Sequence, residues 1–230
     1  MIRGIIFDFD GLIIDTESVV HQSWQELFQS QGVDLPLSTW ADFIGTAEIS
    51  FDLFDHLEEQ LGYPVDRKQL SRQRYQRGLT LIAQQPLLPG VEEYLDQAKA
   101  LNLKIGLASS SPCAWVTGHL ERFGLTGYFD CIMAADDVTI TKPDPGLYHL
   151  TLGSLGLSAD QAIALEDSPN GIQAAKQAGL FVVAVPNIIT RHLDLDQADL
   201  QIASMEDLSL VDLIVIAESK ITSNPASRQQ

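Results

Sequence analysis

Five short apolar runs punctuate this chain, at residues 5–7, 103–108, 131–134, 162–165 and 181–185. The last has no polar residue at all, as expected of a strand buried on both faces inside a parallel sheet. From Gly90 onward these runs alternate with stretches of helical periodicity, at 91–101, 112–123, 145–155 and 168–178. Pro112 opens the second of these helices, and Gly179 stops the fourth. Strand and helix in strict alternation predict an α/β fold with a doubly wound parallel sheet. In such a sheet functional groups gather at the carboxyl ends of the strands.

The first run does not join this series directly. Between Asp15 and Gln85 the periodicity is helical throughout, at 18–31, 37–44, 49–61 and 66–84. The return is marked by Pro86-Leu87-Leu88-Pro89-Gly90, a cluster of turn and extended-chain residues. The expected organisation is an α/β core from 1–15 and 86–218, an inserted all-helical cap from 16–85, and a disordered polar tail from 219–230. An insert just after the first strand is placed to act as a lid that excludes water and reads the substrate.

Composition narrows the class. The 230 residues are 45% hydrophobic, enough for a sizeable core. No apolar run approaches the roughly 20 residues of a membrane helix. The first residues lead straight into a strand rather than a secretory signal, and Cys113 and Cys131 lack metal-ligand spacing. A cytoplasmic protein with reduced cysteines is expected, with no membrane partner. The net charge of −17 repels nucleic acid. It also opposes any anionic ligand at long range, so a phosphorylated substrate must be drawn in locally by a metal ion, a lysine and backbone N–H groups.

Polar islands follow four of the runs: Asp8-Phe9-Asp10, Ser109, Lys142 and Glu166-Asp167. Alternate residues of a strand share a face, so the two aspartates are expected at one mouth of the sheet. An aspartate can attack phosphorus and split the reaction into two steps, while a second protonates the leaving oxygen and later activates water. Asp8 and Asp10 fit these two roles. Hard carboxylate oxygens suit Mg2+, with Asp8, Asp10, Glu166 and Asp167 as candidate ligands. Lys142 offsets charge on Asp8 and on the phosphoryl oxygens, and Ser109 offers a hydrogen bond to a phosphoryl oxygen.

At these residues the chain resembles the haloacid dehalogenase (HAD) superfamily, in its capped phosphatase and β-phosphoglucomutase-like branch. DFDGLIIDTE is similar to the family's first motif, LASSS to the second, TKPDP to the third and LEDSPNGIQAA to the fourth. The resemblance implies a Rossmann-like core and Mg2+-dependent phosphoryl transfer to and from Asp8. The acid at Asp10 favours phosphate monoesters, because C–halogen and C–P cleaving relatives have no alkoxide to protonate. Mutase members carry a cap-loop arginine for a second phosphate, where residues 43–48 here offer Glu48 and no cation. They also carry a histidine on the first cap helix where this chain has Val20. His21 is one step away, about 100° around the helix. Both departures favour hydrolysis of a small phosphorylated metabolite, a sugar phosphate above all. A sugar phosphomutase, or an inactive HAD-like binding module, is the alternative.

Weaker substrate-binding candidates are Gly11, Glu17, His21, Trp24, Gly45, Thr46, Ser110 and Asn170. For His21 and Trp24 simple packing within the cap is the competing reading. Asp15 reads as a helix cap or hinge residue, and Ser168 as a helix cap or a group touching a metal ligand. Gly171 reads as a site of close helix–strand approach. His56, His119, His149 and His192 are isolated and read as ordinary surface or packing residues. Substrate identity and oligomeric state are not encoded in these patterns.

Overall fold

The first strand of the chain is the central one of its sheet. In the computed structural model, which describes residues 1–36, 39–40 and 52–223, β1 (Gly4–Phe7) pairs in parallel with both β2 (Lys104–Ala108) and β4 (Ala162–Glu166). Beyond these lie β3 (Cys131–Met133) on one side and β5 (Phe181–Ala184) and β6 (Leu200–Gln201) on the other. The order is β3-β2-β1-β4-β5-β6, every pairing parallel. The doubly wound α/β sheet expected from the alternating pattern is therefore the one observed. Edge strand β6 is new, since two residues carry no periodicity to read.

Strand alternation splits the core in two. Ile5, Phe7, Ile105, Leu107, Ile163, Leu165 and Val183 face one way. They pack against α4 (Val91–Ala100), α5 (Cys113–Arg122) and α8 (Leu210–Ser223), through residues such as Leu95, Leu120 and Leu213. Ile6, Ala108, Ala162, Ala164, Val182 and Ala184 face the other way. They meet α6 (Gly146–Leu155) and α7 (Pro169–Gln177) through Tyr148, Leu152 and Ile172. The second face is rich in alanine, so α6 and α7 come close to the strands.

Helix α8 corrects the first part of the expected tail, whose remainder, 224–230, lies outside the described residues. Residues 219–223 belong to it, because Leu210, Leu213 and Ala217 form a buried stripe at helical spacing. The polar Thr222 and Ser223 instead bond to Glu218 and Ser219 carbonyls one turn back. Pro112 and Pro145 sit at the N-caps of α5 and α6, one position before each helix begins.

By packing, the chain divides into two units, one of Met1–Ile14 with Leu87–Gln230 and the other of Asp15–Pro86. Ile14 and Leu87 form an antiparallel bridge where the chain leaves and re-enters the sheet unit. The second unit contains α1 (Thr16–Ser30), α2 (Leu53–Leu61) and α3 (Arg67–Ile82). Asp15 caps α1 by accepting from the Ser18 N–H at 2.9 Å. Among the described residues no helix is long and apolar enough to cross a membrane.

Candidate active site

Strand parity brings the acidic residues together. Ile6 faces α6 and α7, so Asp8, two residues on, points to the same side. Ala162 and Ala164 share that face, and Glu166 follows them. Phe7 is in register with Leu165, and the Asp8 N–H donates to the Leu165 carbonyl at 3.0 Å. The two carboxylates thus end at the same level on the same face. Lys142, from the loop before α6, donates to Asp8 Oδ1 at 2.5 Å and to Glu166 Oε1 at 2.6 Å. The Tyr148 hydroxyl donates to the same Glu166 oxygen, and its ring centroid lies 5.1 Å from the ammonium.

All of this is out of water, with side-chain exposures of 5% for Lys142, 10% for Asp8 and none for Glu166. Burial pushes the Asp8 carboxyl up; Lys142 opposes that, Glu166 reinforces it, and the result is about 8. Burial alone would lower Lys142, but Asp8 and Glu166 outweigh it and hold the ammonium above the ordinary lysine value. Burial first, and then the charge of Glu166, raise the Tyr148 phenol well above its usual range. The site therefore has more buried carboxylates than cations.

Oxygens of Asp8, Glu166 and Asp167 lie within 4.8 Å of one another. Glu166 Oε2 is buried and has no hydrogen-bond partner among the described residues. Three hard oxygen donors, an orphaned carboxylate oxygen and a deficit of positive charge fit a divalent cation of the Mg2+ type. The surroundings are tight. A Cβ on Gly171 would fall 1.9 Å from Glu166 Oε2, so the first turn of α7 can lie here only without a side chain. Gly11, at φ +83°, would place a Cβ 2.2 Å from Asp167 Oδ2.

Asn187, after β5, was not singled out by sequence. Its amide donates to Asp167 Oδ2 at 2.8 Å and to the Gly11 carbonyl at 3.2 Å. Its own carbonyl accepts from the Ile189 and Thr190 N–H groups. It ties the loop after β5 to the loop after β1 through the Asp167 carboxylate.

Asp10 lies elsewhere than expected. Its carboxylate is no member of the acidic cluster, because the strand ends at Phe7 and the two-residue alternation ends with it. Instead Asp10 accepts from the Ser111 hydroxyl at 2.6 Å and from the Trp115 indole N–H at 3.1 Å. The buried Ser109 hydroxyl is 3.5 Å from the same carboxylate and accepts from the Ser111 N–H at 3.0 Å. Ser111 is the third serine of the LASSS run, in which sequence had favoured Ser109 and, more weakly, Ser110. Trp115 and Tyr148 were not singled out by sequence.

The weaker candidates separate. Ser110 and Asn170 are exposed. Ser168 caps α7, its hydroxyl accepting from the Gly171 N–H. Glu17, His21 and Trp24 belong to the helical unit. His21 packs on Trp40 at 5.3 Å, and Trp24 packs on Phe54 with the Arg74 guanidinium 4.8 Å from its ring. Gly45, Thr46 and the whole 43–48 stretch lie outside the described residues.

Residues 5–185 match the family model described as haloacid dehalogenase-like hydrolase. The chain is 46% identical over 214 residues to a Bacillus subtilis protein named "Putative phosphatase YhcW", covering 93% of this chain and 97% of that one. It is 31% identical over 217 residues to hexitol phosphatase B of Escherichia coli, again with 93% and 97% coverage. A crystal structure of β-phosphoglucomutase from Clostridium difficile superimposes with a TM-score of 0.72 at 26% identity, covering 96% of this chain and all of that one.

Proposed function

The chain belongs to the haloacid dehalogenase-like hydrolase family as one of its phosphatases, and from that premise we propose that it hydrolyses a small sugar phosphate through a phosphorylated Asp8. The observation that carries this reading is the setting of Asp8. It is a buried carboxylate at the end of the central strand, held by Lys142 and set among Glu166 and Asp167.

In the first step Asp8 attacks phosphorus, forming an acyl phosphate as the bond to the leaving oxygen breaks. Asp10 delivers a proton to that oxygen, then takes one from the water that cleaves the acyl phosphate. Lys142 holds the attacking carboxylate in place and faces the charge that builds on the phosphoryl oxygens. Asp8, Glu166 and Asp167 would hold Mg2+. When bound, the ion supplies the positive charge that draws Asp8 into its ionised form and neutralises the phosphoryl group.

Relatives named for hexitol phosphate and for phosphoglucose support a sugar phosphate as the substrate class. The likeness to β-phosphoglucomutase keeps one second reading, transfer of the phosphoryl group within a sugar. The test is a panel of pentose, hexose and hexitol monophosphates, assayed for phosphate release with Mg2+, with Ca2+ and with chelator. Release from at least one member, restored by Mg2+ better than by Ca2+, is expected. Equal rates in Mg2+ and in chelator would refute the metal assignment. Phosphorus NMR of β-glucose 1-phosphate separates the two reactions, since glucose 6-phosphate accumulating faster than free phosphate means a mutase.

A further inference from the structure

The carboxylate of Asp10 is held at both ends by groups at the start of α5. Ser111 Oγ donates to Oδ2 at 2.6 Å, and Trp115 Nε1 donates to Oδ1 at 3.1 Å. Donors on separate oxygens fix the plane of a carboxylate as well as its position. Trp115 is itself braced. One helical turn on, His119 meets its ring at 4.5 Å in a T-shaped contact, and His119 lies 6.1 Å from the ring of Phe9. A closed circuit thus runs from Phe9 to Asp10 along the chain, then through Trp115 and His119 back to Phe9. A tryptophan kept only for packing could leave its N–H to any acceptor. This one spends it on the side chain that gives and takes the proton.

We propose that Trp115 is a positioning residue for the acid/base chemistry of Asp10, acting through its indole N–H with Ser111 as the second anchor. The inference rests on the assignment of Asp10 above. A carboxylate that must reach a leaving oxygen and later a water profits from being oriented in advance, since misplacement of a proton donor is felt directly in the rate. The effect must scale with the need for a proton. A sugar alkoxide is a poor leaving group and requires one, whereas p-nitrophenolate leaves without it.

Trp115→Phe removes the N–H while keeping an aromatic ring against His119. Losing one charge-assisted hydrogen bond should lower kcat for the sugar phosphate turned over fastest in the panel by about 10-fold or more. The rate with p-nitrophenyl phosphate should fall by a clearly smaller factor, because its leaving group needs no proton and only the water step still draws on Asp10. Ser111→Ala should show the same selectivity. A second readout does not depend on turnover. In proton–nitrogen NMR, the indole signal of Trp115 should move on Asp10→Asn, and those of Trp24 and Trp40 should stay in place. An unmoved Trp115 signal, or equal losses on both substrates in Trp115→Phe while Asp10→Asn remains selective, overturns the positioning role. Equal losses on both substrates in Asp10→Asn itself overturn the role of Asp10 as acid to the leaving oxygen, and the inference with it.

Discussion

Lys142 in the sheet unit and Arg67 in the helical unit are each one cation facing several carboxylates. Lys142 meets Asp8 and Glu166, with Asp167 beside them. Arg67 reaches Asp52, Asp55 and Glu58, and the Val65 N–H adds a further donor to Glu58. Counted as charges the two sets are alike. Their surroundings differ, with Lys142 5% exposed and Arg67 39% exposed. In the open set water takes up the surplus negative charge. In the closed set nothing described does, and Asp8 is pushed up to about 8. Burial turns the same stoichiometry from a surface staple into a demand for another cation.

The hardest way to break the closed set is through its nucleophile. Asp8→Asn is isosteric but cannot attack phosphorus, so turnover should fall by more than roughly 10³-fold with the fold retained. The measurement is phosphate release by pure mutant, with circular dichroism as the check on folding. Activity above a tenth of wild type removes Asp8 from the reaction.

Removing the cation comes next. Lys142→Met leaves Asp8 and Glu166 buried without their shared partner, and breaking such a set costs roughly 3 kcal/mol of stability. Urea unfolding at pH 7.5 in chelator should show it as a lower midpoint with an unchanged slope. A loss as small as that of an exposed pair would mean that the buried carboxylates take up protons at no cost.

A pH series sharpens the same point. Asp8 keeps its proton to about 8 when folded, against 3.8 for the free side chain. Between those values the folded state binds more protons, so stability falls as pH rises, by at most about 1.4 kcal/mol per unit. Lys142 is charged in both states across this window and adds no slope. Thermal unfolding of metal-free protein should therefore weaken from pH 5 to 8, and Asp8→Asn should flatten the trend. Added Mg2+ should recover stability most at the alkaline end, because the ion binds the ionised carboxylate. A slope of the same size in Asp8→Asn would assign it to other groups.

The parts of the site that sequence revealed are those that interrupt a buried strand. Asp8, Ser109 and Glu166-Asp167 stand out because parallel strands admit almost nothing polar before their ends. Parity even predicts that Asp8 and Glu166 share a face. It fails at Asp10, where the chain has left the strand and the side chain turns to Ser111 and Trp115. Tyr148 and Asn187 were hidden for a related reason. An aromatic residue in a helix and an asparagine after a proline are commonplace, and only tertiary contact gives them Glu166 and Asp167 as partners. Helix α8 was obscured by its polar end, although its buried stripe has ordinary helical spacing.

The smallest effect is expected at the open set. Arg67 holds Glu58 well below the usual carboxylate range, at about 2, chiefly by direct hydrogen bonding and then through the Val65 N–H. Glu58 ionises below its ordinary value when folded, so whatever it contributes is present above pH 4.5 and is lost as pH falls through about 2. Arg67 also caps the geometry between α2 and α3, reaching Asp52 at the start of one helix from the first turn of the other. Yet three acids, two of them exposed and Glu58 half-buried, compete for a single guanidinium, and solvent and salt screen the set. Arg67→Ala should therefore shift Tm at pH 7 by less than about 2 °C, and 0.5 M NaCl should shrink even that. Carbon NMR titration should meanwhile find Glu58 moved back toward an ordinary glutamate. A loss of stability comparable to that of Lys142→Met would show that exposure does not separate the two sets, and the contrast between them would fall.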